Sequence, residues 1–407
     1  MTAAGLGRAT EEGEPKEMPR DQFFAETPFF NDEHARLAAG VADFALREVE
    51  PLAAAEESGD ADEAFRRTLG LLAQSGLLYY SVARGPDEPL DAVALCLIRE
   101  ALAYHSALAD LAFVMQGLGT YALSMAAPEH VRDFWVERAR EGKAVAAFAL
   151  TEPEAGSDVG NVQTTAERQG DAYVINGHKC FISNAGLADF YTVFARTGTR
   201  EDGRAELSAF VVGARMPGFR VRARTELIAP HPIGEIEFES LRVPAEDRVG
   251  AEGEGHQLAM RTMDTFRASV GAAACGMARR ALDEAVRHAK RRRQFGVTLA
   301  MQQLVQEKLA VMQTELDAAR LLVYRAAHLK NAGAPRSTLT RAASEAKLYA
   351  TEAAQRIVDE AVQIHGGSGL VRGSVVERLY RDVRALRVYE GTSEIQKLVI
   401  AREMLKE

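Results

Sequence analysis

The chain has few of the residues from which metal and redox centres are built: three cysteines, Cys96, Cys180 and Cys275, and neither a CxxC nor an HExxH spacing. Three widely separated cysteines do not make a disulfide framework or a metal site, and fit buried thiols in a reducing compartment. No apolar run approaches the length of a membrane span, the longest candidates being short stretches such as residues 144–150. Positive charge is in deficit, with 49 Lys and Arg against 58 Asp and Glu and a net charge of −9. Such a surface does not attract nucleic acid or an anionic membrane. Residues 1–20 are acidic and rich in Gly, Glu and Pro, without the apolar core of a secretory signal or the character of a transit peptide. Residues 1–30 read as a disordered extension and the protein as cytoplasmic.

What is present is a globular composition, 47% hydrophobic and 26% charged over 407 residues, long enough for two or three structural units. Residues 31–147 read as a helical domain of about five helices: Asn31 and Asp32 cap a first, residues 60–76 supply a second, 90–126 give long Ala/Leu-rich stretches, and 129–141 add another. The period then changes. Tyr173-Val174-Ile175, Asn176-Gly177 and residues 178–183 read as a β-hairpin with a type I′ turn, and strands follow at 191–196, 207–212, 219–222 and 235–243. Residues 148–256 are therefore expected to be a small β-barrel-like domain. From residue 257 to 407 helical periodicity returns, with segments at 277–291, 305–330, 341–364 and 393–405 forming a four-helix bundle, the third stopped by Gly366-Gly367.

Near the C-terminus, Tyr389-Glu390-Gly391-Thr392-Ser393 opens the last helix, and Ser393 with Gln396 reads as a capping box. The N–H groups of Thr392 and Ser393 suit an anion. Glu390 has two readings: an ordinary charge complementing a helix dipole, or a carboxylate desolvated beside an aromatic ring, whose raised pKa makes it a base for a carbon acid.

Residues 149–160, Ala-Leu-Thr-Glu-Pro-Glu-Ala-Gly-Ser-Asp-Val-Gly, and residues 379–396, from Leu-Tyr-Arg-Asp through Tyr-Glu-Gly-Thr-Ser-Glu-Ile-Gln, resemble the two signatures of the acyl-CoA dehydrogenase family. Residues 176–184 (Asn-Gly-His-Lys-Cys-Phe-Ile-Ser-Asn), 292–296 (Arg-Arg-Gln-Phe-Gly) and 363–367 (Gln-Ile-His-Gly-Gly) match as well, in order, from about residue 31 onward. The resemblance implies an α+β, mainly α fold of helical domain, β-domain and four-helix bundle, with FAD as cofactor and a homotetramer as the assembly, a homodimer being the alternative. It places FAD along Phe148, Leu150, Thr151 and Ser157, with Phe181 over the flavin ring and the Ser183 hydroxyl near N5; many relatives carry Trp and Thr at those two places. Arg292, Gln294 and Phe295 would reach the FAD of another subunit, with Gln303, Gln363, Gly366 and Gly367 on the adenosine side and Thr392 and Glu394 completing the set. A guanidinium forks onto phosphate, and paired glycines admit a close backbone approach. Ser157, Asp264, Arg267, Tyr389, Gly391 and Arg402 would meet the substrate.

The implied reaction is α,β-dehydrogenation of an acyl-CoA thioester, Glu390 taking the α-proton and flavin N5 the β-hydride, with an electron-transfer flavoprotein as acceptor. Some subgroups carry the base where this chain has Phe266, which cannot accept a proton, so the role falls to Glu390. An acyl-CoA oxidase, or a dehydrogenase acting on a carrier-protein thioester, is the alternative. One departure lies in residues 227–234, Leu-Ile-Ala-Pro-His-Pro-Ile-Gly, where His231 between two prolines reads as a surface or turn residue.

Overall fold

The computed structural model describes residues 22–53 and 60–406. The N-terminal part comprises α1 (Gln22–Glu26), α2 (Asp32–Phe44), which runs through a π-turn into α3 (Glu50–Ala53), then α4 (Ala61–Gln74), α5 (Ala92–His105), α6 (Ala107–Ala126) and α7 (Glu129–Arg140). Caps set their starts: the side chains of Asn31, Asp60, Asp91 and Ser106 each accept a backbone N–H from the first turn that follows. Residues 22–30, expected to belong to a disordered extension, are ordered and include α1. Residues 1–21 lie outside the described residues, but Phe23, Phe24 and Phe30 sit with ring centroids 5.9, 6.1 and 4.8 Å from Tyr324. Aromatic pairs of this kind contribute about 0.5–1.5 kcal/mol each beyond the area they bury, and they pack the segment against Tyr324.

Eight strands follow: β1 (Ala146–Ala149), β2 (Thr165–Gln169), β3 (Ala172–Ser183), β4 (Phe190–Thr199), β5 (Ala205–Gly213), β6 (Phe219–Arg224), β7 (Ile233–Pro244) and β8 (Arg248–Val249). They form one sheet in the order β6-β7-β3-β2-β4-β5-β8, with β1 parallel to β4. The expected hairpin at Asn176-Gly177 is not there. Both residues lie inside β3, at a bulge in its pairing with β7. The flexibility that favours a turn serves close approach instead: a Cβ on Gly177 would lie 2.4 Å from Thr164 Oγ1, and Asn176 Oδ1 accepts the Ser240 N–H at 2.7 Å. The turn that is present joins β2 to β3 through Gly170-Asp171, with Gln169 opposite Ala172.

The C-terminal part holds α8 (Gly255–Arg291), a two-strand hairpin of β9 (Arg293–Gln294) and β10 (Val297–Thr298), α9 (Gln303–Asn331), α10 (Arg336–His365), α11 (Val375–Ala385) and α12 (Ser393–Met404). Helix α8 starts 22 residues before the expected Met277. Its small residues there let it approach other helices: a Cβ on Gly276 would meet Glu100 O at 2.2 Å, and one on Gly271 would meet Val323 at 2.7 Å. Helix α5 is buried on all sides and lies between two cores. Leu95, Ile98 and Leu102 join the core shared with the sheet, whereas Val93, Cys96, Leu97 and Ala103 join that of the bundle. Each fully buried side chain of this size contributes about 1.5–3 kcal/mol. The charges carried between the cores are paired: Arg99 donates to Asp110 through Nε and Nη2, both at 2.7 Å, and to Ser269 Oγ at 2.8 Å. All three cysteines are buried and free, as their spacing implies.

Candidate active site

Between α11 and α12 the chain makes two successive left-handed residues, Glu390 at φ 52° and Gly391 at φ 88°. A non-glycine residue there costs about 1–3 kcal/mol and persists only where its surroundings impose it. Three hydrogen bonds do so: Gln396 Nε2 donates to Glu390 O (3.2 Å) and to Gly391 O (2.9 Å), and Lys347 Nζ donates to Gly391 O (2.8 Å). The expected capping box is replaced by another arrangement. Thr392 is the cap, its Oγ1 accepting the Ile395 N–H at 3.3 Å, and Gln396 turns back onto the two carbonyls. The Ser393 N–H is not free for an anion, since it donates to Arg387 O at 3.2 Å, and Ser393 Oγ donates to Glu352 Oε1 at 2.6 Å.

Glu390 Oε2 is buried with no hydrogen-bond partner. Burial pushes the Glu390 carboxyl above its ordinary pKa, against the opposing pull of Arg99, Lys347 and Arg267. Tyr389 packs against the bundle core, and Phe266 is fully buried with its ring 5.9 Å from Tyr121. Arg267 is buried and bonded to Asp264 at 2.8 Å, with its Nε unpartnered. Arg402 stands apart, exposed near the far end of α12 and paired with Glu403.

A second group forms where β1 runs into residues 150–157. Lys179, fully buried, donates from Nζ to Leu150 O (3.0 Å) and Glu152 Oε1 (2.8 Å), and Glu152 also accepts the N–H groups of Gln163 (2.6 Å) and Thr164 (3.0 Å). Cys180 N–H donates to Thr151 O at 3.1 Å, which lays the end of β3 against this loop. Phe148 packs on Phe194 with ring centroids 5.0 Å apart, while Ser157 is exposed. At the end of β3, Phe181 (φ 52°) and Asn184 (φ 65°) are left-handed on either side of Ser183, and the Phe181 ring is 60% exposed. His231 is not a bare turn residue: its Nε2 lies 2.8 Å from Ser183 Oγ, and burial together with Arg224 pushes the imidazole down to about 4.

The third group lies at the far end of the bundle. His288 and His365 pack with ring centroids 4.3 Å apart, joining the ends of α8 and α10; Arg292, Gln294 and Phe295 follow directly after α8, and Gln363, Gly366 and Gly367 lie at the end of α10. The Arg292 side chain is exposed and makes no hydrogen bond or ion pair among the described residues, and Phe295 is 94% exposed. Gln303 begins α9, Glu394 is exposed in the first turn of α12, and among the described residues no atom beyond the chain neighbours lies within 4 Å of a Cβ built on Gly366 or Gly367. Sequence reasoning did not find Lys347, Arg99 or the contact of His231 with Ser183, and it gave Gln396 a different role. For Lys347 a signal existed: it falls among Ala343, Ala346, Ala350 and Ala354, the buried stripe of α10.

Among the described residues no cluster of three or more His, Cys, Asp and Glu could hold a metal ion, and no helix is long and apolar enough to cross a membrane. The family models for the acyl-CoA dehydrogenase N-terminal, middle and C-terminal domains match residues 31–143, 147–241 and 253–405. The chain is 37% identical over 385 residues to cyclohexane-1-carbonyl-CoA dehydrogenase of Geobacter metallireducens, covering 93% of this chain and 99% of that protein. It is 37% identical over 383 residues to 3-(aryl)acrylate reductase of Clostridium sporogenes, covering 93% and 100%. Its fold superposes with a TM-score of 0.84 and 29% identity on an acyl-CoA dehydrogenase from Bacillus anthracis complexed with FAD, over 95% of this chain and 72% of that one. Three consecutive domain matches and a shared three-part fold place the chain in the acyl-CoA dehydrogenases, a family of FAD-dependent oxidoreductases.

Proposed function

We propose that this protein removes hydrogen from the α and β carbons of an acyl-CoA thioester, with Glu390 as the base that takes the α-proton. The observation that carries the reading is the Glu390 carboxylate: held on a fixed left-handed turn, with one oxygen buried and unpartnered, and with a pKa raised by burial. A base raised toward the working pH abstracts a carbon-bound proton more effectively. The Glu390 N–H makes no hydrogen bond among the described residues and can donate to the thioester oxygen, where charge develops as the proton leaves.

The residues present fit FAD. Phe181 offers an exposed aromatic face beside the Ser183 hydroxyl, and residues 150–157 offer backbone groups fixed by the Lys179–Glu152 pair. When bound, FAD supplies the two-electron acceptor for the β-hydrogen, which no side chain can provide. Arg292, Gln294 and Phe295 would meet the FAD of another copy. Exposed apolar side chains at that end, Phe295, Met301, Leu304, Leu370 and Val371, support self-association, read as a homotetramer. An electron-transfer flavoprotein would take the electrons onward.

The name of the Clostridium relative favours a second reading, reduction of an enoyl thioester, in which the same Glu390 returns a proton to the α-carbon. Product analysis tests both. With an oxidising flavoprotein partner, acyl-CoA should lose two hydrogens to give the trans-2-enoyl thioester, and deuterium at C2 or at C3 should slow turnover. A product that retains both hydrogens would contradict dehydrogenation, and conversion confined to enoyl thioester plus reductant would select the second reading.

A further inference from the structure

Lys347 is fully buried on α10, yet no carboxylate of the described residues lies within salt-bridge distance of it. Among the described residues its ammonium hydrogen-bonds to a neutral group, Gly391 O at 2.8 Å. Placing an ammonium out of water beside a carbonyl is strongly unfavourable unless an anion compensates. The anion that acts on it most strongly is Glu390, ahead of Glu352 and Glu394, with Arg267 opposing. The neighbouring Gln396 makes similar hydrogen bonds to the same turn without a charge.

We propose that Lys347 is a positioning residue for Glu390: its ammonium pins the Gly391 carbonyl, fixing the left-handed turn that aims the carboxylate, and its charge favours the ionised form of that buried carboxylate. The inference rests on Glu390 being the base. The other groups that bear on Glu390 are Arg99 from α5, Arg267 from α8 and Asp110 from α6, and the adjoining Tyr389 is itself acted on by Glu390. Arg99 is already neutralised by Asp110, and Arg267 is bonded to Asp264. Lys347 is thus the cation of this set without a carboxylate of its own. Gln396 and Lys347 both hold the turn, and of the two only Lys347 supplies charge.

The test is the pH profile of kcat/KM in the FAD-loaded protein. In the native protein its acid limb reports ionisation of Glu390. Lys347→Met should move that limb to higher pH by about one unit, equivalent to a roughly tenfold loss at pH values below it. Lys347→Arg, which keeps the charge, should hold the limb near its native position. Gln396→Leu should lower kcat without moving the limb, separating turn geometry from charge. If Lys347→Met does not fold, Lys347→Gln carries the same readout, because it can still donate to Gly391 O. An unmoved limb in the uncharged variant, with Glu390→Gln inactive, overturns the role of Lys347 alone. Undiminished turnover in Glu390→Gln removes the base itself.

Discussion

Glu390→Gln is expected to keep its FAD and its fold while losing reduction of the flavin by acyl-CoA. The amide has the size of the carboxylate and leaves the Gln396 and Lys347 hydrogen bonds, which go to main-chain carbonyls, in place. What it lacks is a lone pair basic enough to take the α-proton. General-base catalysis is worth about 10²–10⁴-fold, so anaerobic single-turnover reduction should slow by at least that range. Rapid mixing with acyl-CoA at the flavin band gives the rate directly. A variant that reduces its flavin at the native rate would remove Glu390 from the chemistry, and one that has lost FAD would show that the carboxylate serves structure instead.

The second large effect is expected at Glu152, far from Glu390 in sequence and without chemistry of its own. Its carboxylate meets Lys179 at 2.8 Å, with side-chain exposures of 4% and 0%. Glu152→Ala leaves a buried ammonium and two backbone N–H groups without their acceptor, and breaking such a pair costs about 3–5 kcal/mol. Because Lys179 also holds Leu150 O, the loop of residues 150–157 should loosen and FAD should dissociate more readily. Urea unfolding and flavin content after gel filtration measure both. Glu152→Leu combined with Lys179→Met should recover much of the stability, since the pair is then replaced by apolar volume. A loss below about 1 kcal/mol in Glu152→Ala would show that water reaches Lys179. The pH dependence has a definite sign. Burial acts to raise the Glu152 carboxyl, but Lys179 and the N–H donors outweigh it and hold it below the ordinary value of 4.5. Its stabilisation is therefore present above about pH 4.5 and is lost as pH falls through the lower folded value.

The Glu390 turn was legible in sequence because it uses rare residue choices in a row: a carboxylate, a glycine and a hydroxyl cap at one helix start. The order of helices, strands and helices was legible for a similar reason, since apolar periodicity reports which face of each element is buried. Asn176-Gly177 misled because the same freedom permits a turn or a bulge, and only the proximity of Thr164 decides between them. Strand β2 escaped because Ala166 is its one buried residue, so it carries almost no hydrophobic pattern. The turn-holding role of Gln396 was hidden by its match to a capping box. Arg99 and Asp110, on consecutive helices, could not be joined before those helices were packed, and His231 could not be joined to Ser183 before β3 and β7 were paired. The Phe23, Phe24, Phe29 and Phe30 cluster was readable, since four aromatics in eight residues are a poor composition for a disordered extension.

As proposed, Glu390 and bound FAD together oxidise an acyl-CoA in this chain. The most direct test of that oxidation is an anaerobic absorbance titration of the FAD-loaded protein with short, medium, branched and cyclic acyl-CoAs, beside acyl-pantetheine and carrier-protein thioesters. Bleaching of the flavin band by one group of CoA thioesters is the predicted result, and that group names the substrate class. An intact flavin that stays oxidised with every thioester would contradict acyl-CoA oxidation by this protein.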